Sequence, residues 1–201
     1  MRIAVFSDIH GNFEALNSVI KLIDKEQADK TFFVGDIFQR GNKEIECLEY
    51  LMNSEIICVK GNCELYLDNG VHIDSDVEYL RDYYDNMREK LTAEQRNFIH
   101  TLPLYYEITA FGHRILLSHF LFKDKEAAYP YYQLSDMDTD VFTNAVKTDE
   151  IQKYDLVVVG HAHKNFAVEN VVGVSAAGIG KPTFVLIEIG ETVSYRYVSG
   201  E

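Results

Sequence analysis

Five short apolar runs, each followed directly by polar residues, limit the fold of this chain more than any other feature of its sequence. The runs are rich in Val, Ile and Phe, which is typical of strands buried on both faces of a sheet. They comprise residues 3–6, 31–34, 56–59, 115–117 and 156–159. Apolar residues at helical spacing separate the first three runs, and Asn12 is a suitable N-cap for the first helix. Residues 1–60 are therefore predicted to form a βαβαβ unit with parallel strands.

The polar residues after these runs are predicted to meet at one edge of the structure. Ligands of open α/β sheets bind beyond the carboxyl ends of the strands, and all five polar segments lie at such ends. They contain seven carboxylate, imidazole or amide side chains: Asp8, His10, Asp36, Asn62, His119, His161 and His163. We expect His161 and His163 to lie in an extended segment that projects both imidazoles to the same side.

These seven donors predict a metal site. Oxygen and imidazole ligands suit Mn²⁺, Fe, Zn²⁺ or Ni²⁺, and the absence of a thiolate cluster argues against a structural zinc site. Seven donors exceed what one tetrahedral ion needs, and they suffice for two ions about 3.5–4 Å apart, as in phosphoester hydrolases. Two such ions need a bridging anion, and Asp36 at the end of a central predicted strand is the candidate.

The other segments predict additions around this unit. They are a helical insertion over about residues 64–103, a hairpin over 105–117, a polar surface excursion over 120–150 and an antiparallel hairpin over 184–198 in a second sheet. Within the insertion, Thr92 and Gln95 fit a capping box at the start of a helix. The whole chain, residues 1–201, is expected to form a single domain.

The composition argues against several classes of function. The net charge of −13 disfavours binding to long nucleic acid or to an anionic membrane, because both need a basic surface. No stretch approaches the roughly 20 apolar residues of a membrane helix, and the N-terminus becomes polar too early for a signal peptide. The three cysteines form no disulfide-like pattern, and Cys47 and Cys58 are expected to be buried packing residues. A cytoplasmic location is therefore expected, and the oligomeric state is not predicted.

The five polar segments resemble, in order and in spacing, the sequence blocks of the calcineurin-like metallophosphoesterases. The matching segments are DIHGN (8–12), GDIFQRG (35–41), GNCE (61–64), SH (118–119) and GHAH (160–163). The resemblance implies an α/β fold, a four-layer αββα sandwich of two mixed β-sheets flanked by helices, with a dinuclear metal centre. It implies one ion held by Asp8, His10, Asp36 and His163, and a second held by Asp36, Asn62, His119 and His161. Mn²⁺ is the expected ion, with Fe, Zn²⁺ or Ni²⁺ as alternatives, and no organic cofactor is expected.

The resemblance also implies a mechanism in which a hydroxide that bridges the two ions attacks phosphorus. Arg40 and Gly41 match an Arg-Gly pair that helps to bind phosphate in the family, although Arg40 is equally compatible with a solvated loop residue. Most members have a histidine after the Gly-Asn of the third block, and that histidine is a common proton donor to the leaving group. Here the position is Cys63, as in a subset that resembles bacterial phosphodiesterases.

Cys63 bears on the choice of substrate. A thiol donates a proton less well than an imidazolium near pH 7, which favours esters with good leaving groups. The alternative is that Cys63 is a small packing residue. Two other departures are Phe120 in place of a glycine after His119, and Ser175-Ala176-Ala177-Gly178 in place of an Asn-Pro-Gly-Ser turn.

The predicted function is metal-dependent hydrolysis of a small or nucleotide-like phosphoester, with a phosphodiesterase as the first hypothesis. Asp36, Asn62, Cys63 and Arg40 are the predicted catalytic residues. One alternative is a phosphomonoesterase that acts on proteins or nucleotides. The other is a non-catalytic scaffold with the same fold, which the complete set of seven donors disfavours.

Overall fold

The computed structural model describes residues 1–70, 78–121 and 140–200 of the chain. Within these ranges, the strands are β1 (Arg2–Phe6), β2 (Lys30–Phe33), β3 (Ile57–Cys58), β4 (Tyr105–Ala110), β5 (His113–Ser118), β6 (Leu156–Val159), β7 (Phe166–Val168), β8 (Val171–Gly173), β9 (Thr183–Ile189) and β10 (Val193–Ser199). The helices are α1 (Phe13–Glu26), α2 (Glu44–Met52), α3 (Asn62–Asn69), α4 (Glu78–Lys90), α5 (Ala93–Thr101), α6 (Asp140–Ala145) and α7 (Asp149–Gln152). All five apolar runs form strands, as predicted.

Two mixed five-stranded sheets contain all of these strands. The first has the order β10-β9-β1-β2-β3, and the second has the order β4-β5-β6-β8-β7. The strands β1, β2 and β3 are parallel to one another, which confirms the predicted βαβαβ unit. In the second sheet, β5, β6 and β8 are parallel. The Asn12 side chain accepts a hydrogen bond from Ala15 N and caps α1, also as predicted.

The hairpin near the end of the chain joins a different sheet from the one predicted. The β9–β10 hairpin forms as expected, but β9 pairs antiparallel with β1 in the first sheet, with Ile187 opposite Ile3. Strand β9 is covered on both faces, because Phe184 packs toward the helices and Val185 packs toward the second sheet. A strand alternation in the sequence predicts the hairpin, but it carries no information about which sheet the hairpin extends.

The three largest apolar clusters of the described residues separate four layers. Ile3, Val5 and Phe32 of the first sheet pack against Leu117 and Val158 of the second sheet. The outer face of the first sheet packs against α1 to α5, and the outer face of the second sheet packs against Val146, which follows α6, and against Ile151 of α7. This arrangement is the predicted αββα sandwich. Each fully buried aliphatic side chain contributes about 1.5–3 kcal/mol, so the three clusters hold the strand ends in fixed positions.

The helical insertion lies beside the carboxyl end of β3. It comprises α3, α4 and α5, and the Thr92 and Gln95 side chains each accept a hydrogen bond from the other residue's backbone N–H, as the capping-box prediction required. Residues 71–77 of the insertion and residues 122–139 of the predicted surface excursion lie outside the described residues. Cys47 and Cys58 are buried, as predicted, and burial raises the pKa of each thiol to about 12. No helix in the described ranges is long and apolar enough to cross a membrane.

Candidate metal centre

All seven predicted donors lie in loops or at helix starts directly after strands. Asp8 and His10 follow β1, Asp36 follows β2, Asn62 begins α3 after β3, His119 follows β5, and His161 and His163 follow β6. The two sheets pack face to face with these strand ends on the same side, so residues far apart in the sequence come into contact. The Nε2 atoms of His10 and His163 are 3.0 Å apart although 153 residues separate them in the chain.

One group of donors surrounds the end of β1. Asp8, His10, Asp36 and His163 each offer an atom, and these four atoms all lie within 4.8 Å of one another. His163 Nε2 lies 3.0 Å from Asp8 Oδ1, and His10 Nε2 lies 3.7 Å from the same oxygen. This spacing brings two carboxylates and two imidazoles around a common centre, which is a donor set that suits a divalent transition-metal ion.

A second group of donors lies between the two sheets. His119 Nε2 is 3.1 Å from Asn62 Oδ1 and 3.5 Å from Asp36 Oδ1. The His161 ring packs edge-on against the His119 ring, with 5.2 Å between their centroids. Asp36 therefore belongs to both groups, since its other carboxylate oxygen, Oδ2, faces His10 at 4.0 Å.

The backbone at these positions is strained. Asp8, His10, Asp36, His161 and His163 all have positive φ, between 49° and 68°. Non-glycine residues in this region cost about 1–2 kcal/mol each, and they persist only where the surroundings hold them. The extended geometry predicted for residues 161–163 is therefore wrong. Instead, the bent backbone turns the His163 ring toward His10 and the His161 ring toward His119.

Two backbone carbonyls orient the histidines. Phe38 O accepts a hydrogen bond from His10 Nδ1 at 2.8 Å, and Val34 O accepts one from His119 Nδ1 at 2.7 Å. Because a carbonyl only accepts, Nδ1 carries the proton in both rings. In the neutral imidazoles the lone pair is then on Nε2, which is the atom that faces the carboxylates. Histidines that bind metals are commonly oriented in this way.

The carboxylates and imidazoles shift one another's pKa values. Burial alone would raise the pKa of Asp36, but the imidazoles of His119 and His10 hold it well below its ordinary value. Burial lowers the pKa of His119, yet the charges of Asp36 and Asp8 outweigh burial and raise that pKa to about 9. Burial and the charge of His119 lower the pKa of His161 to about 4. Against the effect of burial, the pKa of Asp8 is lowered as well, chiefly by the charge of His119, so two buried carboxylates are ionised at this site.

These residues fit a metal ion. Asp8 is fully buried, and its Oδ1 atom makes no hydrogen bond within the part of the chain that the structure describes. A buried carboxylate oxygen without a hydrogen bond is costly unless a cation binds it. The oriented Nε2 atoms and the shared Asp36 carboxylate add further ligand atoms around that oxygen. The ligand roles of the seven donors stay predictions.

Glu64 was not among the predicted site residues, yet it holds two donor-bearing loops together. It is fully buried and accepts hydrogen bonds from Asp36 N at 2.9 Å, Ile37 N at 2.8 Å and Gly61 N at 2.7 Å. Burial, and then the charge of Asp36, raises the pKa of Glu64 to about 7. A glutamate three residues after the N-cap Gly61 matches half of a capping box, which is the sequence signal that could have identified it.

Cys63 lies in the core, where its Sγ atom accepts a hydrogen bond from Asn62 Nδ2 at 3.8 Å. It is fully buried among apolar side chains beside the Tyr84 hydroxyl, and its backbone N–H, at 2.9 Å, donates to Asp36 Oδ1. Burial, together with the charges of Asp36 and Glu64, raises the pKa of the thiol well above its ordinary value. This geometry favours the packing alternative over proton donation by the thiol.

Arg40 lies on the open side of the site. It is exposed and makes no hydrogen bond or ion pair with the described residues, and it lines a cavity of about 700 Å³ together with His10 and Gly41. The cavity is also lined by Gly178, the last residue of the segment that replaces the family's usual turn, and by Ile179 and Gly180, which follow it. The groove therefore leads from solvent to the first donor group.

Comparison with known proteins identifies a relative in sequence and solved structures with the same fold. The protein MJ0912 of Methanocaldococcus jannaschii is 32% identical to this chain over 168 residues. The match covers 82% of this chain and 63% of MJ0912, so this chain spans less than two thirds of the length of that relative. The crystal structure of PH1004 from Pyrococcus horikoshii has the same fold, with a TM-score of 0.76 and 20% identity over 100% of this chain and 88% of PH1004. A solved archaeal phosphodiesterase also shares the fold, with a TM-score of 0.53 and 16% identity over 99% of both chains.

The sequence profile of one family covers most of the chain. Residues 1–165 match the family described as calcineurin-like phosphoesterase. This range includes all five polar segments and all seven predicted donors. The chain therefore belongs to the calcineurin-like phosphoesterase family.

Proposed function

We propose that this protein is a metal-dependent phosphodiesterase that hydrolyses a small or nucleotide-like phosphoester. The observation that carries the proposal is the Asp36 carboxylate between the two donor groups. Its Oδ2 atom is 4.0 Å from His10 Nε2, and its Oδ1 atom is 3.5 Å from His119 Nε2. A carboxylate that directs one oxygen to each group is suited to be shared by two cations.

The two donor groups define the proposed ligand sets. Asp8, His10, Asp36 and His163 would hold one divalent cation, and Asp36, Asn62, His119 and His161 would hold the other. Mn²⁺ is the proposed ion. When bound, such cations would neutralise phosphate charge and supply a hydroxide as the nucleophile near neutral pH.

The chain itself would orient the metal ligands and the substrate. The backbone carbonyls that bind His10 and His119 keep each Nε2 atom directed into the site, so the ligand geometry needs no rearrangement. Arg40, which is free of ion pairs among the described residues, would bind a phosphate oxygen at the groove.

A diester with a good leaving group is the proposed substrate class. No acidic thiol is available to protonate a departing alkoxide, since burial raises the pKa of Cys63 well above its ordinary value. The cavity of about 700 Å³ is open to solvent, which leaves room for two ester substituents. A solved archaeal phosphodiesterase has this fold, so the fold is compatible with diester hydrolysis.

Hydrolysis of bis-p-nitrophenyl phosphate and of p-nitrophenyl phosphate by the Mn²⁺-loaded protein tests the proposal. We expect the diester to react faster. Asp36→Asn should abolish turnover, whereas the matched change Asp82→Asn, at an exposed position on α4, should leave it unchanged. Protein shown by elemental analysis to carry metal yet inactive on both esters would refute the proposal. Faster hydrolysis of the monoester would replace the phosphodiesterase with a phosphomonoesterase, and full activity of the Asp36→Asn protein would refute the ligand assignment.

A further inference from the structure

The loop that carries Arg40 has a backbone that is unfavourable for its residues. Gln39 and Arg40 are consecutive, and their φ angles are 73° and 76°. Glycine tolerates this left-handed region, but side chains with a Cβ atom disfavour it. Two such residues in succession keep this conformation only where contacts on either side hold them.

On one side, the loop packs against the backbone that precedes α1. A Cβ atom on Gly41 would lie 2.3 Å from His10 O and 2.4 Å from Gly11 O, so only glycine fits this approach. Lys43 N donates to Gly11 O at 3.1 Å, just beyond this point. These contacts hold the end of the loop that follows Arg40, next to a predicted metal ligand.

On the other side, a tyrosine from the helical insertion holds the loop. Gln39 N donates a hydrogen bond to the Tyr83 hydroxyl at 2.8 Å, and that hydroxyl donates to Glu44 Oε1 at 3.1 Å. Because the Tyr83 hydroxyl donates its hydrogen bond to Glu44, a lone pair on the hydroxyl oxygen is directed to the Gln39 N–H. Burial, together with the Glu44 carboxylate, raises the pKa of Tyr83 well above its ordinary value, so the hydroxyl keeps its proton at neutral pH.

We propose that Tyr83 is a positioning residue for the substrate phosphate: through the Gln39 N–H it holds Arg40 at the rim of the groove beside His10. Tyr83 does not line the groove itself, so it acts through the loop. The inference rests on the proposed function, because it assigns Arg40 to phosphate binding. It also gives the helical insertion a part in substrate affinity.

Steady-state kinetics with bis-p-nitrophenyl phosphate and Mn²⁺ test this role. Tyr83→Phe removes one hydrogen bond and should raise KM about fivefold while kcat changes little. Tyr79→Phe is the matched control, since Tyr79 is on the same helix and its side chain is 66% exposed. In an Arg40→Ala background, Tyr83→Phe should have no further effect, because the group that it positions is gone. Gln39→Gly combined with Tyr83→Phe should restore KM, because glycine adopts the left-handed conformation without support.

Two measurements separate this inference from the proposed function. Amide hydrogen exchange at residues 39–41 should become faster in Tyr83→Phe and not in Tyr79→Phe, and this readout needs neither metal nor turnover. Calorimetric binding of inorganic phosphate to the Mn²⁺-loaded protein should weaken about fivefold in Tyr83→Phe and show the same lack of additivity with Arg40→Ala. These results in a protein that hydrolyses no ester would refute the proposed function and leave the positioning role intact. Unchanged exchange at residues 39–41, or additive effects of Tyr83→Phe and Arg40→Ala on phosphate affinity, would overturn the inference.

Discussion

Replacement of Gly61 by alanine tests whether close packing under Asp36 sets the position of the shared carboxylate. A Cβ atom at position 61 would lie 2.3 Å from Asp36 Oδ1 and 2.6 Å from Asp36 N. Gly61 has a φ of −96°, which alanine adopts without strain, so the effect of the substitution would be steric. The Asp36 carboxylate cannot turn away without losing the hydrogen bond from Cys63 N at 2.9 Å. Asp36 N cannot move away without losing its hydrogen bond to Glu64 at 2.9 Å.

The size of the effect follows from these distances. Non-bonded heavy atoms make favourable contacts at about 3.5 Å, so Asp36 or the Gly61 backbone would have to move by about 1 Å. Such overpacking costs about 1–3 kcal/mol, which for a chain of this length lowers Tm by about 2–12 °C. A displacement of about 1 Å in a catalytic group reduces the rate about 100-fold. We therefore expect a moderate loss of stability and a large loss of turnover.

The assay compares Gly61→Ala with Gly190→Ala. No atom lies within 4 Å of the Cβ position at Gly190, between β9 and β10, so this control should keep wild-type activity and gain up to about 1 kcal/mol of stability. Thermal unfolding, calorimetric Mn²⁺ affinity and hydrolysis of bis-p-nitrophenyl phosphate are measured on both proteins. Wild-type Mn²⁺ affinity and turnover in Gly61→Ala would show that the Asp36 position does not depend on this packing, and the steric reasoning would fail.

Three further predictions concern other parts of the molecule. Cys63→Ala should lower the free energy of unfolding by about 1–2 kcal/mol, and the buried control Cys47→Ala should do the same. Cys63→Ala should not change activity on esters with poor leaving groups. A selective loss of activity on those esters would show that the thiol is a proton donor. Mn²⁺ at 100 times its Kd should stabilise the wild-type protein by about 2.7 kcal/mol, and this gain, measured by thermal unfolding, should be lost in Asp36→Asn. Hydrogen bonds to Asp155 and to a backbone carbonyl raise the pKa of His113 in the folded protein. Protonated His113 therefore stabilises the fold below the pKa of the unfolded chain, and this stabilisation is lost as the pH rises through the folded pKa. His113→Gln should therefore flatten the decline of stability with rising pH above about 6.5, and an unchanged pH profile would contradict this.

Local patterns were sufficient to predict the elements that build the site. Apolar runs of strand length predicted β1, β2 and β3, and apolar residues at helical spacing predicted the helices that connect them. Because such connections make the strands parallel, the polar residues that follow each strand lie at one edge of the sheet. Local polar signals also predicted the Asn12 cap and the Thr92–Gln95 capping box. These features depend on residues close together in the chain, which is why a single sequence contains them.

The backbone at the donors could not be predicted in the same way. Nothing in Gly-His-Ala-His indicates that His161 and His163 adopt positive φ and turn to different donor groups. That conformation is unfavourable locally and is maintained by long-range contacts, such as the hydrogen bond from His161 N to Asp8 Oδ2 at 3.2 Å. Local propensity predicts extended backbone here, and tertiary contacts override it.

The sequence by itself determined which chemical groups the site contains, because the donor types and their positions after strands are read directly from the chain. Only the tertiary structure decided where those groups lie. Asp36 lies between two sets of donors, Cys63 is buried in the core, and Tyr83 of the insertion binds the loop that carries Arg40. It also decided that the β9–β10 hairpin extends the first sheet. The physical reason is that these outcomes are contacts between segments tens to more than a hundred residues apart, and their energies depend on packing that no local pattern records.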